Sequence, residues 1–268
     1  MNMSEPLLEL ARRGARLDDV LVIDSHAHMG PWQNFHIPDP DLDAMVRVMD
    51  QVGIDHIFLA PHASIGSDFQ LGNDLALEAM RRYPGRVFGY LFINPNHEDG
   101  VLDELLRCER LGASSGPAMR QIKVHSINGY PYDGERYRLA YEYANERRFP
   151  ILAHTWGKDA QVFDTLSEEY PNISFILGHS GVSDFDTYVH LAKKRPNIYL
   201  DLTTSMVGYG WVERFVEEVG PDRILFGSDM PFISAPQQIG KVLYARISEE
   251  DKRKILGLNA ARVFGLDE

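Results

Sequence analysis

Two histidines, one residue apart, close the apolar run VLVIDSHAHMG, residues 20–30. Side chains alternate along a strand, so His26 and His28 point to one face, and Asp24 has the same parity. If that face is the interior of a closed sheet, two imidazoles converge near its mouth. Neutral imidazole nitrogen is a common ligand for zinc and similar divalent ions. A third histidine and a carboxylate from other strands would complete such a set. His154 stands next to last in PILAHT, and Asp229 sits in GSDMPF at the end of another apolar run. Taken singly, a histidine at a strand end is more often a hydrogen-bonded loop side chain than a ligand, and a lone His-x-His says little. The metal reading rests on the set.

Something must bring these residues together. Apolar runs recur along the chain, each followed by a helical pattern: VLVIDSHAH, DHIFLAPH, VFGYLFINP, QIKVH, PILAHT, ISFILGHS, IYLDLT and RILFGSDMP. The intervening helices are predicted over Asp39–Gln51, Asn73–Tyr83, Asp99–Leu111, Gly134–Arg148, Asp159–Tyr170, Phe185–Lys194, Trp211–Val219 and Pro236–Ala245. A last helix follows Ser248, a residue type that caps helix starts. Short runs apolar on both faces suit parallel strands covered on both sides. Eight strand–helix units in 268 residues match a closed (β/α)8 TIM barrel with an extra C-terminal helix, forming one domain over residues 1–268. The rival, a doubly wound open sheet, wants a Gly-rich turn after its first strand, and DSHAHMGPW is not one.

Barrel chemistry sits at the C-terminal ends of the strands. Those ends carry His26, His28, His62, Asn94, Lys123, His125, His154, His179, Asp201 and Asp229, which include six of the ten histidines. Composition narrows the partners. The chain has 44% hydrophobic and 25% charged residues and a net charge of -12. It reads as an acidic globular protein with no Lys/Arg run, which argues against nucleic acid. No apolar run is long enough to span a membrane. The N-terminal stretch MNMSEPLLELARRGARLDD lacks a signal-peptide core, so a cytoplasmic protein is expected. The single Cys108 lies in a helical pattern and reads as a half-buried structural thiol. The expected partner is a small-molecule substrate, and a second copy of the chain, as a homodimer, is compatible with the sequence.

The pattern from IDSHAH through IKVHSINGYPYDGERYRLAYEYANERRFPILAHTWG, FILGHSG and ILFGSDMPF to EEDKRKILGLNAARVFG resembles the amidohydrolase superfamily, in its amidohydrolase-related branch with the aminocarboxymuconate semialdehyde decarboxylase-like proteins. The resemblance covers nearly the whole chain. It implies one divalent ion, Zn2+ or alternatively Mn2+, with His26, His28, His154 and Asp229 as ligands. It further implies that His179 lies beside a metal-bound water or a substrate carbonyl, and that Asp229 moves a proton. Asp24 would then be a hydrogen-bond partner one layer below the ligands.

Other strand-end residues keep two readings. Lys123 binds an anionic substrate group or pairs with an inward acid; in some branches of the superfamily a carbamylated lysine at this strand bridges two metals. His125 is a substrate contact or auxiliary ligand, or a plain loop hydrogen bond. In the loop MGPWQNFHIP, Trp32, Phe35 and His36 either contact substrate or pack over the rim, and Trp156 has the same ambiguity. Tyr130 and Tyr132 would add to an aromatic entrance. The expected activity is hydrolysis of an amide, ester or lactone by a metal-activated water. The alternative is non-oxidative decarboxylation of a small aromatic or unsaturated acid. That reaction needs a held carboxylate, for which an Arg fork is best suited. Only Lys123 and Lys158 stand near the strand ends as cations, which favours hydrolysis.

Overall fold

The computed structural model describes residues 6–66, 68–115, 119–206 and 208–266. Each of the eight apolar runs forms a barrel strand. They are β1 (Ile23–Met29), β2 (His56–Pro61), a third strand in two pieces, β3 (Val87–Gly89) and β4 (Leu91–Phe92), then β5 (Ile122–Val124), β6 (Ile151–His154), β7 (Phe175–Gly178), β8 (Ile198–Asp201) and β9 (Ile224–Leu225). All neighbouring pairs are parallel. The third strand changes partner at Tyr90. Its N–H donates to Leu59 O at 2.8 Å, and that of Leu91 donates to Gln121 O at 2.9 Å. The ring closes between β9 and β1, where Ser25 N donates to Phe226 O (3.0 Å) and His28 N to Met230 O (2.7 Å). The molecule is therefore a (β/α)8 barrel, and the open-sheet rival is excluded.

Two helices, Phe185–Lys194 and Trp211–Val219, have the predicted bounds. Others shift because a side chain caps elsewhere. Asp41 accepts from Ala44 N at 2.9 Å and starts the helix Leu42–Val52, leaving Pro40 outside it. Asp68 starts the next at Phe69, four residues before the predicted Asn73. Ser248 does cap the C-terminal helical segment, accepting from Asp251 N at 3.0 Å. That segment runs as Glu249–Arg253, a π-helical turn Lys254–Leu258, and Asn259–Phe264. Two short helices, Leu7–Arg12 and His62–Gly66, add to the predicted set. Among the described residues no helix is long and apolar enough to cross a membrane.

The apolar interior has two layers. One large cluster lies between the barrel and its helices. A smaller one fills the barrel and includes Ile23, Phe58, Tyr90, Leu152, Ile176 and Leu225. Phe264, from the last helix, stacks on Phe58 with ring centroids 3.8 Å apart and plugs the lower end. Cys108 is completely buried, not half-buried, and its thiol donates to Glu104 at 3.3 Å.

Candidate active site

The alternation of β1 is broken by a register shift between Asp24 and Ala27. Ile23 therefore joins the barrel interior in line with His26 and His28, and Asp24 does not share their face. Asp24 instead ties β1 to the segment after β9. Its carboxylate accepts from Ser228 N (2.9 Å), Ser228 Oγ (2.5 Å) and His26 N (3.2 Å). Burial pushes its pKa up to about 7.

Above the apolar plug, the inward positions become polar. His26 is fully buried, with Nδ1 2.6 Å from Asp201 Oδ2 and Nε2 2.9 Å from Lys123 Nζ. Two glycines make room for it. A Cβ on Gly227 would lie 2.5 Å from Asp201 Oδ1 and 2.7 Å from His26 Cβ, and one on Gly178 would lie 3.1 Å from His26 Cε1. His28 directs Nδ1 at Ala60 O (2.9 Å) and Nε2 at Asp229 Oδ1 (3.0 Å). His179 directs Nδ1 at Thr203 O (2.8 Å) and Nε2 at His154 Nδ1 (3.0 Å). His179 and Asp229 both hold the left-handed backbone region, with φ of 58° and 61°. Such a conformation costs a non-glycine residue about 1–3 kcal/mol, which the surrounding structure must sustain.

These contacts fix the tautomers. A carbonyl or carboxylate oxygen only accepts, so Nδ1 carries the proton in His26, His28 and His179, and each Nε2 presents a lone pair. His154 must then donate from Nδ1 to His179. His28 Nε2 and Asp229 Oδ1 are thus two acceptors face to face, which calls for a cation between them. The Nδ1–H···O clamp on each ring is the usual support of a metal-ligating histidine. Ligand atoms of His26, His179 and Asp229 lie within 4.8 Å of one another, a grouping able to hold an ion. The donor set of imidazole and carboxylate suits Zn2+ or Mn2+.

Electrostatics agree with this grouping. Burial, then the positive charge of Lys123, drive the His26 pKa well down. Burial likewise depresses His125, His154 and His179, and pushes Lys123 down to about 8. Burial opposes the charge of Asp229, yet the close approach of His28, and after it of His179 and His26, holds its carboxyl well below the usual carboxylate range.

A cavity of about 510 Å³ opens over this cluster, lined by His28, His125, His154, His179 and Asp229 at its floor. Its walls are aromatic, with Trp32, Phe35 and Phe232 on one side and Trp156 on the other. Thr204, Ser205, Ser234 and Gln237 add a polar edge. Among the described residues no Arg or Lys lines it.

Several expected residues sit elsewhere. Lys123 is fully buried beneath the cavity, against His26 rather than in the lining. His36 is exposed and outside the lining; its neighbour Phe35 packs edge-on against Phe232, with centroids 4.7 Å apart, and takes the place at the rim. Tyr132 is core, donating to His154 O at 2.5 Å, and Tyr130 packs on Tyr137, so neither forms the entrance. Lys158 is exposed. His125 makes the loop hydrogen bond, its Nδ1 accepting from Ile127 N at 3.1 Å, and its ring stacks on His154 in the cavity lining, with centroids 3.9 Å apart. Trp32 and Trp156 both line the cavity. Phe232 and the polar edge went unremarked in the sequence. Phe232 follows GSDMP directly, and Thr204 and Ser205 follow the strand end at Asp201, so their positions were legible even though their types gave no signal.

This chain is similar to the curated gamma-resorcylate decarboxylase of Polaromonas sp. (strain JS666 / ATCC BAA-500), at 23% identity over 286 residues covering 84% of this chain and 87% of that protein. Its fold matches the 5-carboxyvanillate decarboxylase of Sphingomonas paucimobilis (TM-score 0.73, 14% identity, 92% of this chain and 99% of that one). It also matches the dihydroxybenzoic acid decarboxylase of Polaromonas sp. JS666 solved with bound manganese and the inhibitor 2-nitroresorcinol (TM-score 0.66, 19% identity, 94% and 98%). These relatives overturn the expectation of hydrolysis. That expectation leaned on a missing cation, and a carboxylate can also be held by a metal ion and neutral donors, so the missing cation does not discriminate. The family model for amidohydrolases matches residues 23–266, the same span that carries the barrel, the clamped histidines and Asp229, and the chain belongs to the amidohydrolase family.

Proposed function

We propose that the protein is a metal-dependent non-oxidative decarboxylase of a small aromatic carboxylic acid. The observation that carries this reading is the aromatic-walled cavity standing directly over the opposed acceptors His28 Nε2 and Asp229 Oδ1. Its volume suits a single substituted ring. The decarboxylase relatives supply the reaction class.

The ion would be held by His26, His28 and Asp229, with a third imidazole from the His154–His179 pair. The resemblance in sequence favours His154 for that place, whereas the spacing of donor atoms favours His179. When bound, Mn2+ or Zn2+ supplies positive charge to the oxygens of the substrate acid. The chain's own residues do the rest. Asp201 holds the His26 ring so that Nε2 faces the centre. Trp32, Phe35 and Phe232 oppose Trp156 and orient the ring, while Thr204, Ser205 and Ser234 offer hydroxyls to its polar substituents. In the reaction the bond from ring carbon to carboxylate breaks, its electron pair stays on carbon, carbon dioxide leaves, and carbon takes up one proton. Asp229 Oδ1, at the cavity floor and ionised at rest, relays that proton in this reading: it takes it up from solvent and hands it to the ring carbon, while Thr203 positions His179 beside it.

The test is a panel of hydroxylated and methoxylated benzoates given to the Mn2+- and Zn2+-loaded protein. Carbon dioxide release is expected, with one solvent deuterium on the product ring when the reaction is run in D2O. Conversion of none of these acids alongside turnover of esters or lactones would sink the proposal.

A further inference from the structure

We infer that His62 reads the substrate: its Nε2 accepts a hydrogen bond from a hydroxyl group on the aromatic acid. The inference rests on the decarboxylase reading for the acid and on the geometry of His62 for the hydroxyl.

His62 follows β2 directly and is 3% exposed. Its Nδ1 lies 2.7 Å from Gly30 O. A carbonyl only accepts, so Nδ1 carries the proton and Nε2 is left with a lone pair. His26, His28 and His179 share this clamp, but Nε2 of His26 meets Lys123, that of His179 meets His154, and that of His28 faces Asp229 across the place proposed for the ion. His62 Nε2 has none, and it is closed off from solvent. The grouping that can hold an ion does not include it. A buried acceptor left without a donor is costly, and such a group beside a cavity marks where a ligand completes the structure.

The surroundings say what that ligand offers. His62 stacks on His28 (centroids 5.0 Å apart), and Trp32 and Phe232 cover it at 5.1 and 5.8 Å. Trp32 and His62 both border the cavity over Asp229 and a second cavity of about 590 Å³ behind it. For the acid to reach Nε2 the Trp32 ring, which belongs to a loop without regular structure, must shift. The bond from Nδ1 to Gly30 O is what keeps Nε2 an acceptor. A carboxylate or an ether cannot donate to it. A phenolic hydroxyl can, and the distance from His28 to His62 puts that hydroxyl on the same ring as a carboxylate lying over Asp229.

The probe pair is 2-hydroxybenzoate and 2-fluorobenzoate, close in size, of which only the first donates. Binding to the Mn2+-loaded protein is measured by calorimetry, with carbon dioxide release followed in parallel. Wild type should prefer the hydroxy acid by about tenfold or more. His62→Phe keeps the ring but loses the acceptor; it should cut that preference by on the order of tenfold while binding the fluoro acid within about threefold of wild type. Its metal content should be unchanged. A folded His62→Phe that keeps the preference overturns the inference, as does loss of metal, which would make His62 a ligand. His62→Leu repeats the test if the phenylalanine variant does not fold. Equal binding of the two acids to wild type, or binding of neither, overturns it without any variant. Hydroxyl preference that depends on His62, without carbon dioxide release, sinks the decarboxylase reading and leaves this one standing. Carbon dioxide release without the preference does the reverse.

Discussion

His28 Nε2 lies 3.0 Å from Asp229 Oδ1, and with His28 Nδ1 committed to Ala60 O neither atom has a proton to give. A divalent cation resolves that opposition. Purified protein should therefore carry about one such ion per chain, and His26→Ala and His28→Ala should each lose most of it by elemental analysis. Full activity after exhaustive chelation would remove the metal from the mechanism. Close to two ions, dependent on bicarbonate, would point to a carbamylated Lys123.

Asp229→Asn separates proton transfer from architecture. Asparagine keeps an oxygen for the ion but cannot carry the proton. The variant should fold, retain much of its metal and lose on the order of 10²–10⁴ in turnover, the usual worth of positioned proton transfer. Near wild-type turnover in a folded, loaded variant would take Asp229 out of the chemistry. A lowered melting temperature with normal turnover per folded molecule would mark it as structural.

Asp201 touches no part of the cavity, yet it accepts from His26 Nδ1 at 2.6 Å and is itself fixed by Thr203 N (3.0 Å) and Thr203 Oγ1 (2.7 Å). Asp201→Asn should weaken metal affinity by about 10–100-fold, the common cost of losing such a support. Competition with a chelator of known affinity measures it. Unchanged affinity would mean that the His26 ring is held by packing alone.

The pair His154 and His179 makes a sharper comparison. Whichever of His154→Ala and His179→Ala drops the metal content to a small fraction identifies the third imidazole ligand. The other variant should keep its metal and lose turnover instead. Retention of metal by both variants would leave His26, His28 and Asp229 as the whole protein ligand set.

Away from the site, Glu104 receives bonds from Asn73 Nδ2 (2.9 Å), Arg107 Nη2 (2.7 Å) and Cys108 Sγ (3.3 Å). Burial opposes its charge, but these bonds hold its pKa below the ordinary value. A carboxylate whose folded pKa is depressed adds stability above its unfolded pKa, about 4.3, and that stability fades as pH falls through the folded value. Glu104→Gln should cost on the order of 1–3 kcal/mol near neutral pH. It should also flatten the acid side of the melting-temperature profile. A parallel profile for wild type and variant would contradict the ionised network.

How much of this was legible beforehand depends on what each signal encodes. The eight strands could be read because short apolar runs recur with helical patterns between them, and inward positions at their ends carry imidazoles. Strand parity places His26 and His28 on the right face, but it extends wrongly to Asp24, because a bulge leaves no mark in a pattern of residue types. Helix starts moved to Asp41 and Asp68 because capping depends on which side chain reaches back, and periodicity does not register that. His36 was favoured alongside Phe35 for its chemistry, whereas packing against Phe232, far along the chain, decided which of the two reaches the rim. The pairing of His154 with His179 arises from two strands meeting and is invisible to local spacing.

The stacking of Phe264 on Phe58 bears on the order of events during synthesis. Phe58 is made early, in β2, and the ring that seals it comes from the last helix, Asn259–Phe264. On the ribosome, then, all eight strands emerge before the floor beneath them does. Until residues 259–264 clear the exit tunnel, the nascent cylinder is open below and its apolar lining is wet. Chaperone capture and proteolysis should be concentrated in that interval, and a premature stop just before Asn259 would prolong it indefinitely, although such a chain still contains every histidine of the site.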